Sequence, residues 1–191
     1  MVRPRTGDFL YTDEEINVMI EDIQVFKNHG VQGIVLGVLT SDGRVDKERT
    51  KRLVDACLPL EICFHRAFDM TRDAEEALHD ILSIGGITRI LTSGQGTSAP
   101  ASTNVLQSLL RIAGGNITIM PGSGINGKTI DSLVPLRLSE IHLSGGDWIE
   151  GGMIFRREGM GMGVGGKGEW GVFVTNKEKV KEVKEKVDGH I

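Results

Sequence analysis

The stretch "EICFHRAFDM", residues 61–70, opens as a buried strand and ends in charge. Ile62, Cys63 and Phe64 are apolar, and His65, Arg66 and Asp69 follow within five positions. Strand side chains alternate, so Cys63 and His65 share one face while Ile62 and Phe64 share the other. The bulky pair is expected to face a layer of helices, and Cys63 and His65 an interior near its upper rim. An imidazole, a guanidinium and a carboxylate at a strand end suit a parallel α/β fold, whose strand-to-helix loops carry the chemistry.

Similar β-rich runs recur along the chain: "GIVLGVL" from Gly33, "EICFHRAF" from Glu61, "TRILTSG" from Thr88, "ITIMPGSG" from Ile117 and "SEIHLSGG" from Ser139. Their starts lie 28, 27, 29 and 22 residues apart, about the length of a strand, a helix and two short loops. The segments between them read as amphipathic helices. In residues 11–30, Thr12 is placed to cap a helix with Glu15 three positions on, and Gly30 to stop it. Ile16, Met19, Ile20, Ile23 and Phe26 repeat there at helical spacing. Asp73 and Gly85 bracket a second helix, a third is expected around 104–113, and "NGKTIDSLVPLRL" suggests a shorter one.

Repeated βα units imply a parallel sheet, either open or closed into a (β/α)8 barrel. Polar or glycine-rich residues after every strand favour the barrel, because a barrel gathers those loops on one face. They are Thr40-Ser41-Asp42-Gly43, His65-Arg66-Asp69, Thr92-Ser93-Gly94, Pro121-Gly122-Ser123-Gly124 and Ser144-Gly145-Gly146. By alternation, His142 and Ser144 are also expected to point inward.

The 191 residues suit one domain, and 39% apolar and 25% charged residues fit a globular chain. A net charge of -4, with Lys and Arg dispersed, argues against nucleic acid or an anionic membrane as partner. No apolar run approaches a membrane span. Two cysteines, Cys57 and Cys63, form no CxxC and no disulfide framework, so a reducing, cytoplasmic setting is expected.

The stretches "RPRTGDFLYTDEEI" (3–16), "GVLTSDGRVD" (37–46), "FHRAFDM" (64–70), "RILTSG" (89–94) and "MPGSGI" (120–125) resemble the CutC copper homeostasis family. The resemblance covers about residues 1–145. It implies a TIM-barrel fold and a cytosolic role in copper handling, by binding Cu(I). It also implies that this chain starts near the end of the third strand, without the first two βα units and the copper-ligand cysteines in them. About six of eight strands are then expected, in a shortened product or a form completed by association. The family's "MPGGG" reads "MPGSG" here, and its "FH(C/S)SA" reads "IHLSG".

Candidate catalytic residues are His65, Arg66 and Asp69, with Arg66 holding an anion and Asp69 orienting a neighbour. The alternative for them is a structural ion pair at a strand end. Candidate anion-binding residues are Arg3 and Arg5, and Gly122, Ser123, Gly124, Ser144 and Gly145, where barrels often hold phosphate. The arginines equally suit surface pairing with Asp13 or Glu14. Cys63 and His65 offer a soft and an intermediate ligand to Cu(I), with Met120 within reach, although a buried cysteine and a core methionine are ordinary packing.

Residues 1–145 are therefore expected to be a partial barrel, 146–175 a Gly/Met-rich loop with Met153, Met160 and Met162, and 176–191 a closing helix. That helix would have Asn176 as cap and Val180, Val183 and Val187 as stripe. Two functions compete: copper homeostasis with weakened Cu(I) binding, and a barrel enzyme acting on a small phosphorylated or carboxylated metabolite. The expected partners are a copper ion or a small anion, and a second copy of the chain.

Overall fold

The structure, a computed structural model, describes residues 1–157, 159–161 and 170–188. Helix α1 (Asp13–Asn28) leads into β1 (Gly33–Leu36), α2 (Lys47–Cys57) and β2 (Glu61–Phe64). A 3-10 turn at Arg66–Met70 precedes α3 (Ala74–Ile84), β3 (Arg89–Thr92), α4 (Thr103–Ala113) and β4 (Thr118–Pro121). The four strands form one parallel sheet in the order β1-β2-β3-β4. Each helix returns the chain to start the next strand, as the repeat spacing requires.

Local chemistry sets the helix ends. The Thr12 hydroxyl accepts from the Glu15 N–H at 3.3 Å, and the Glu15 carboxylate accepts from the Thr12 N–H at 2.8 Å, closing a capping box. Asp46 and Asp73 cap α2 and α3 through Arg49 N–H at 3.0 Å and Glu76 N–H at 2.8 Å. Gly85 ends α3 at a φ of 70°. The helices bury Ile16, Met19 and Ile23 of α1, Leu53 and Val54 of α2, and Leu78 and Ile81 of α3 in one apolar core.

The sheet's two faces differ. Ile34, Leu36, Ile62, Phe64, Ile90 and Ile119 belong to the core shared with the helices. Val35, Leu91 and Met120 on the other face are only half-buried, with Cys63 buried among that alternating set. At the N-terminal end of this second face, Arg89 donates to Glu140 at 3.0 and 3.1 Å and to Glu61 at 2.5 Å. That network pins the 139–142 segment beside the start of β3.

Among the described residues the sheet stays open, since β1 and β4 do not pair. Two of the six expected strands survive only as single contacts. Val2 donates to the Val35 carbonyl at 2.8 Å beyond β1, and His142 bridges to Gly122 beyond β4. Ser139–Leu143 meets β4 only through that one bridge and does not extend into a strand. The helix expected in 126–138 is instead two 3-10 turns, Ile130–Ser132 and Val134–Leu136, because Pro135 supplies no N–H to continue an α-helix.

The 146–175 stretch is not all loop. Its ends pair as an antiparallel hairpin of β5 (Gly146–Glu150) and β6 (Gly171–Thr175). Cross-strand Trp148–Phe173 and Ile149–Val172 pairs supply the β preference that the glycine count concealed. Helix α5 (Lys177–Asp188) follows, its first turn capped by Asn176 Oδ1, which accepts from the Glu178 and Lys179 N–H groups. Val183 buries into the core and Val187 packs against it. Met162 and residues 189–191 lie outside the described residues.

Candidate functional site

The turn after β2 is built around Asp69. Its side chain is 7% exposed and accepts from Thr92 Oγ1 at 2.5 Å, Ser93 N at 2.9 Å, Ser93 Oγ at 3.0 Å and Gln95 N at 3.3 Å. Arg66 Nε adds a charge-assisted bond at 2.6 Å, and Arg66 Nη2 reaches Ser93 Oγ at 3.2 Å. Gln95, at a φ of 58°, donates its side-chain amide back to the Phe68 and Thr71 carbonyls and to Thr71 Oγ1. Phe68 beneath them is fully buried. The carboxylate thus ties the loop after β3 to the loop after β2, and it leaves one edge of the Arg66 guanidinium free for an incoming group.

His65 is 5% exposed. Its Nδ1 accepts from the Ala67 N–H at 3.2 Å, which places the ring proton on Nε2, and Nε2 has no partner among the described residues. Burial holds its pKa down at about 4, so the ring is neutral across physiological pH. The Phe9 ring packs on it at 5.0 Å. Gly37 lies against it so closely that a Cβ there would sit 2.5 Å from Nδ1, which explains the glycine inside "GIVLGVL".

Arg3 and Arg5 hold the segment that covers His65. Arg5 donates to Glu15 at 2.6 Å, to Asp8 at 2.9 Å and to the Leu10 carbonyl at 2.6 Å. Arg3 donates to the Gly7 carbonyl at 2.8 Å and lies 4.7 Å over the Phe9 ring. The partners expected for the pair, Asp13 and Glu14, are not the ones used. Neither arginine meets the glycine loops.

Those loops do converge. A cavity of 670 Å³ opens at the C-terminal ends of β3 and β4, lined by Arg66, Leu91, Ser123, Gly124, His142, Ser144 and Gly145. Gly122 stands behind it, its N–H bonded to the Thr92 carbonyl at 2.9 Å, and a Cβ there would meet Leu91 at 2.6 Å. The Gly124 and Gly145 N–H groups donate to no described residue. Ser123 holds a φ of 78°, a left-handed conformation that glycine adopts without cost.

Four polar lining residues were missed by the sequence reading. Asn126 and Lys128 belong to "GINGK", and Lys179 sits on α5 with Glu182 one turn on. Lys128 has no ion-pair partner among the described residues, while Lys179 pairs with Asp147. A lysine directly after a glycine turn was the available signal for Lys128. Nothing local marked Lys179, which only the docking of α5 brings in.

The residues considered for copper, Cys63 and His65, are both buried at the end of β2. Burial pushes the Cys63 thiol up to about 11, and its S–H donates to the Phe64 carbonyl at 3.7 Å. Cu(I) prefers a thiolate, and the Nδ1 lone pair of His65 is already taken. Among the described residues, no three His, Cys, Asp or Glu side chains gather as a ligand set.

The architecture defines the class: a parallel α/β protein with a polar pocket where its strand-end loops meet. The CutC family model matches residues 1–147, and the chain belongs to that family. A family protein CutC from Chromobacterium violaceum is 40% identical over 189 residues, spanning 98% of this chain and 76% of that protein. The copper homeostasis protein cutC homolog of Mus musculus is 41% identical over 183 residues, spanning 95% and 67%. A CutC crystal structure from Streptococcus agalactiae superposes with a TM-score of 0.69 at 29% identity, over 74% of this chain and 70% of that one.

Proposed function

We propose that this chain serves copper homeostasis through a small-anion site at the strand ends, and that Cys63 and His65 contribute little Cu(I) affinity. The copper role rests on the names of its relatives. The anion site rests on one observation: the 670 Å³ cavity brings Arg66 and Lys128 together with the Ser123-Gly124 and Ser144-Gly145 turns. Arg66 and Lys128, with serine hydroxyls and free amides, suit a phosphate or carboxylate. Of the other charged lining groups, Lys179 is paired with Asp147 and Glu182 lies against Gly127. In this reading the sheet is an arc of a TIM-type barrel and the cavity lies at its mouth. The protein works in the cytoplasm, and no described helix is long and apolar enough to cross a membrane.

The rival reading, a barrel enzyme for a phosphorylated or carboxylated metabolite, uses the same cavity. There His142, which lines it, is better placed as an acid–base group than the enclosed His65. Thermal melts in inorganic phosphate and in Cu(I) test the assignment. A ligand at about 100 times its Kd raises stability by about 2.7 kcal/mol. Stabilisation by phosphate that disappears in Arg66→Ala supports the anion site. Stabilisation by Cu(I) alone, lost in Cys63→Ser, overturns it.

A further inference from the structure

Away from the strand ends, a second cavity of 540 Å³ opens between α5 and residues 130–141. Its walls are aliphatic. Ile130 and Leu133 are buried, and Val134, Leu138, Ile141 and Val187 are half-buried around them. Small-molecule pockets have this character: about 300–1,000 Å³, mostly apolar, with a few polar groups that fix orientation.

Arg137 is the one charged residue among the described residues that line it. The side chain is exposed, and its guanidinium makes no hydrogen bond or ion pair with a described residue. The carboxylates on the same elements are already spent. Asp131 pairs with Lys186 at 2.7 Å, Glu140 with Arg89 at 3.0 Å, and Asp188 with Lys184. Arg137 also holds a φ of 50° and a ψ of 52° at the end of its 3-10 turn, a left-handed position that glycine usually takes. Next to it, the Leu138, Ser139, Glu140 and Ile141 N–H groups donate to no described residue, since this segment meets β4 only at His142.

We infer that this groove binds a small amphipathic anion, an aliphatic monocarboxylate whose chain lies on Leu133, Leu138 and Val187 and whose head meets Arg137. Apolar walls penalise a ligand that is polar throughout, and a single unpaired cation with free amides suits a single negative charge. α5 supplies Val187 here and Lys179 to the strand-end cavity, so a ligand in the groove also steadies that wall. The inference does not depend on which ligand the strand-end cavity takes.

The test is calorimetric titration of the full chain with octanoate, hexanoate and neutral octanol, in the parent protein and in Arg137→Gln. Because Arg137 is exposed, this substitution leaves the core untouched. Saturable octanoate binding is expected, with up to about fourfold lost for each methylene removed on going to hexanoate. Replacing the carboxylate by octanol, or Arg137 by glutamine, should each weaken binding by roughly fivefold to tenfold. Absence of saturable octanoate binding overturns the inference, and is the result if a further protein segment already fills the groove. Equal affinity for octanoate and octanol overturns it too, as does octanoate binding that Arg137→Gln leaves unchanged.

Discussion

The turn after β2 and the glycine loops after β4 stand at the same end of the sheet and differ in how their polar groups are used. In the first, Asp69 accepts from Arg66, Thr92, Ser93 and Gln95, and Gln95 in turn satisfies Phe68 and Thr71. In the second, Gly124 and Gly145 amides, Lys128 and the outer edge of Arg66 face a 670 Å³ cavity with few internal partners. Charge density in a sequence thus does not separate scaffold from site. What separates them is whether the charges have already spent their hydrogen bonds on one another. Arg66 belongs to both regions, anchored through Nε and Nη2 and open along its remaining edge.

The largest effect is expected where the network is most complete. Asp69→Ala strands Arg66 and several buried donors, and denaturant unfolding should show a loss of about 3 kcal/mol or more. Lys128→Ala, on the cavity side, should leave the same curve within about 0.5 kcal/mol. Equal losses from the two would erase the contrast between the regions.

His65 sharpens the contrast through pH. Its folded pKa of about 4 lies below the ordinary value of 6.5, so between these the unfolded chain takes up a proton that the folded one refuses. Stability from the neutral ring is full above pH 6.5 and falls as pH drops toward 4, by up to about 3 kcal/mol. His65→Gln should flatten that window, at the cost of a lower plateau. A parent protein whose stability is level from pH 7 to 4.5 would show the ring to be solvated.

On the open side the expected changes are in binding. Lys128→Ala should weaken inorganic phosphate by roughly fivefold to tenfold in calorimetric titration, about 1 kcal/mol, with an unchanged melting midpoint. Unaltered affinity would remove Lys128 from the site. The smallest effect belongs to Ser123→Gly, which relieves a φ of 78° and should raise stability by up to about 1 kcal/mol. A loss there would mean the serine hydroxyl holds the loop more strongly than the backbone resists it.

The sequence displayed the alternation within "EICFHRAFDM", the caps at Thr12, Asp73 and Asn176, and the βα repeat, because these depend on neighbours within a few residues. Periodicity set which residues of β2 meet the helices, and Ile62 and Phe64 are fully buried there. The hairpin was obscured by ten glycines between 146 and 171, since composition averages over a span whose two ends alone are strand-forming. The reach of a strand at 139–143 was overstated because only His142 meets β4, and which backbone lies alongside a segment is something no local pattern records.

By itself the sequence determined the parallel α/β class, the family likeness, and the end of the sheet at which chemistry would lie. Only the tertiary structure decided that Asp69 is an internal acceptor and not a free carboxylate, that His65 is enclosed, and that Lys128 and Lys179 reach the cavity. The physical reason is that hydrogen-bond saturation and desolvation are properties of a position in space. They arise from groups more than 20 residues apart, such as Asp69 with Thr92 and Ser93, which no local reading of the chain can pair.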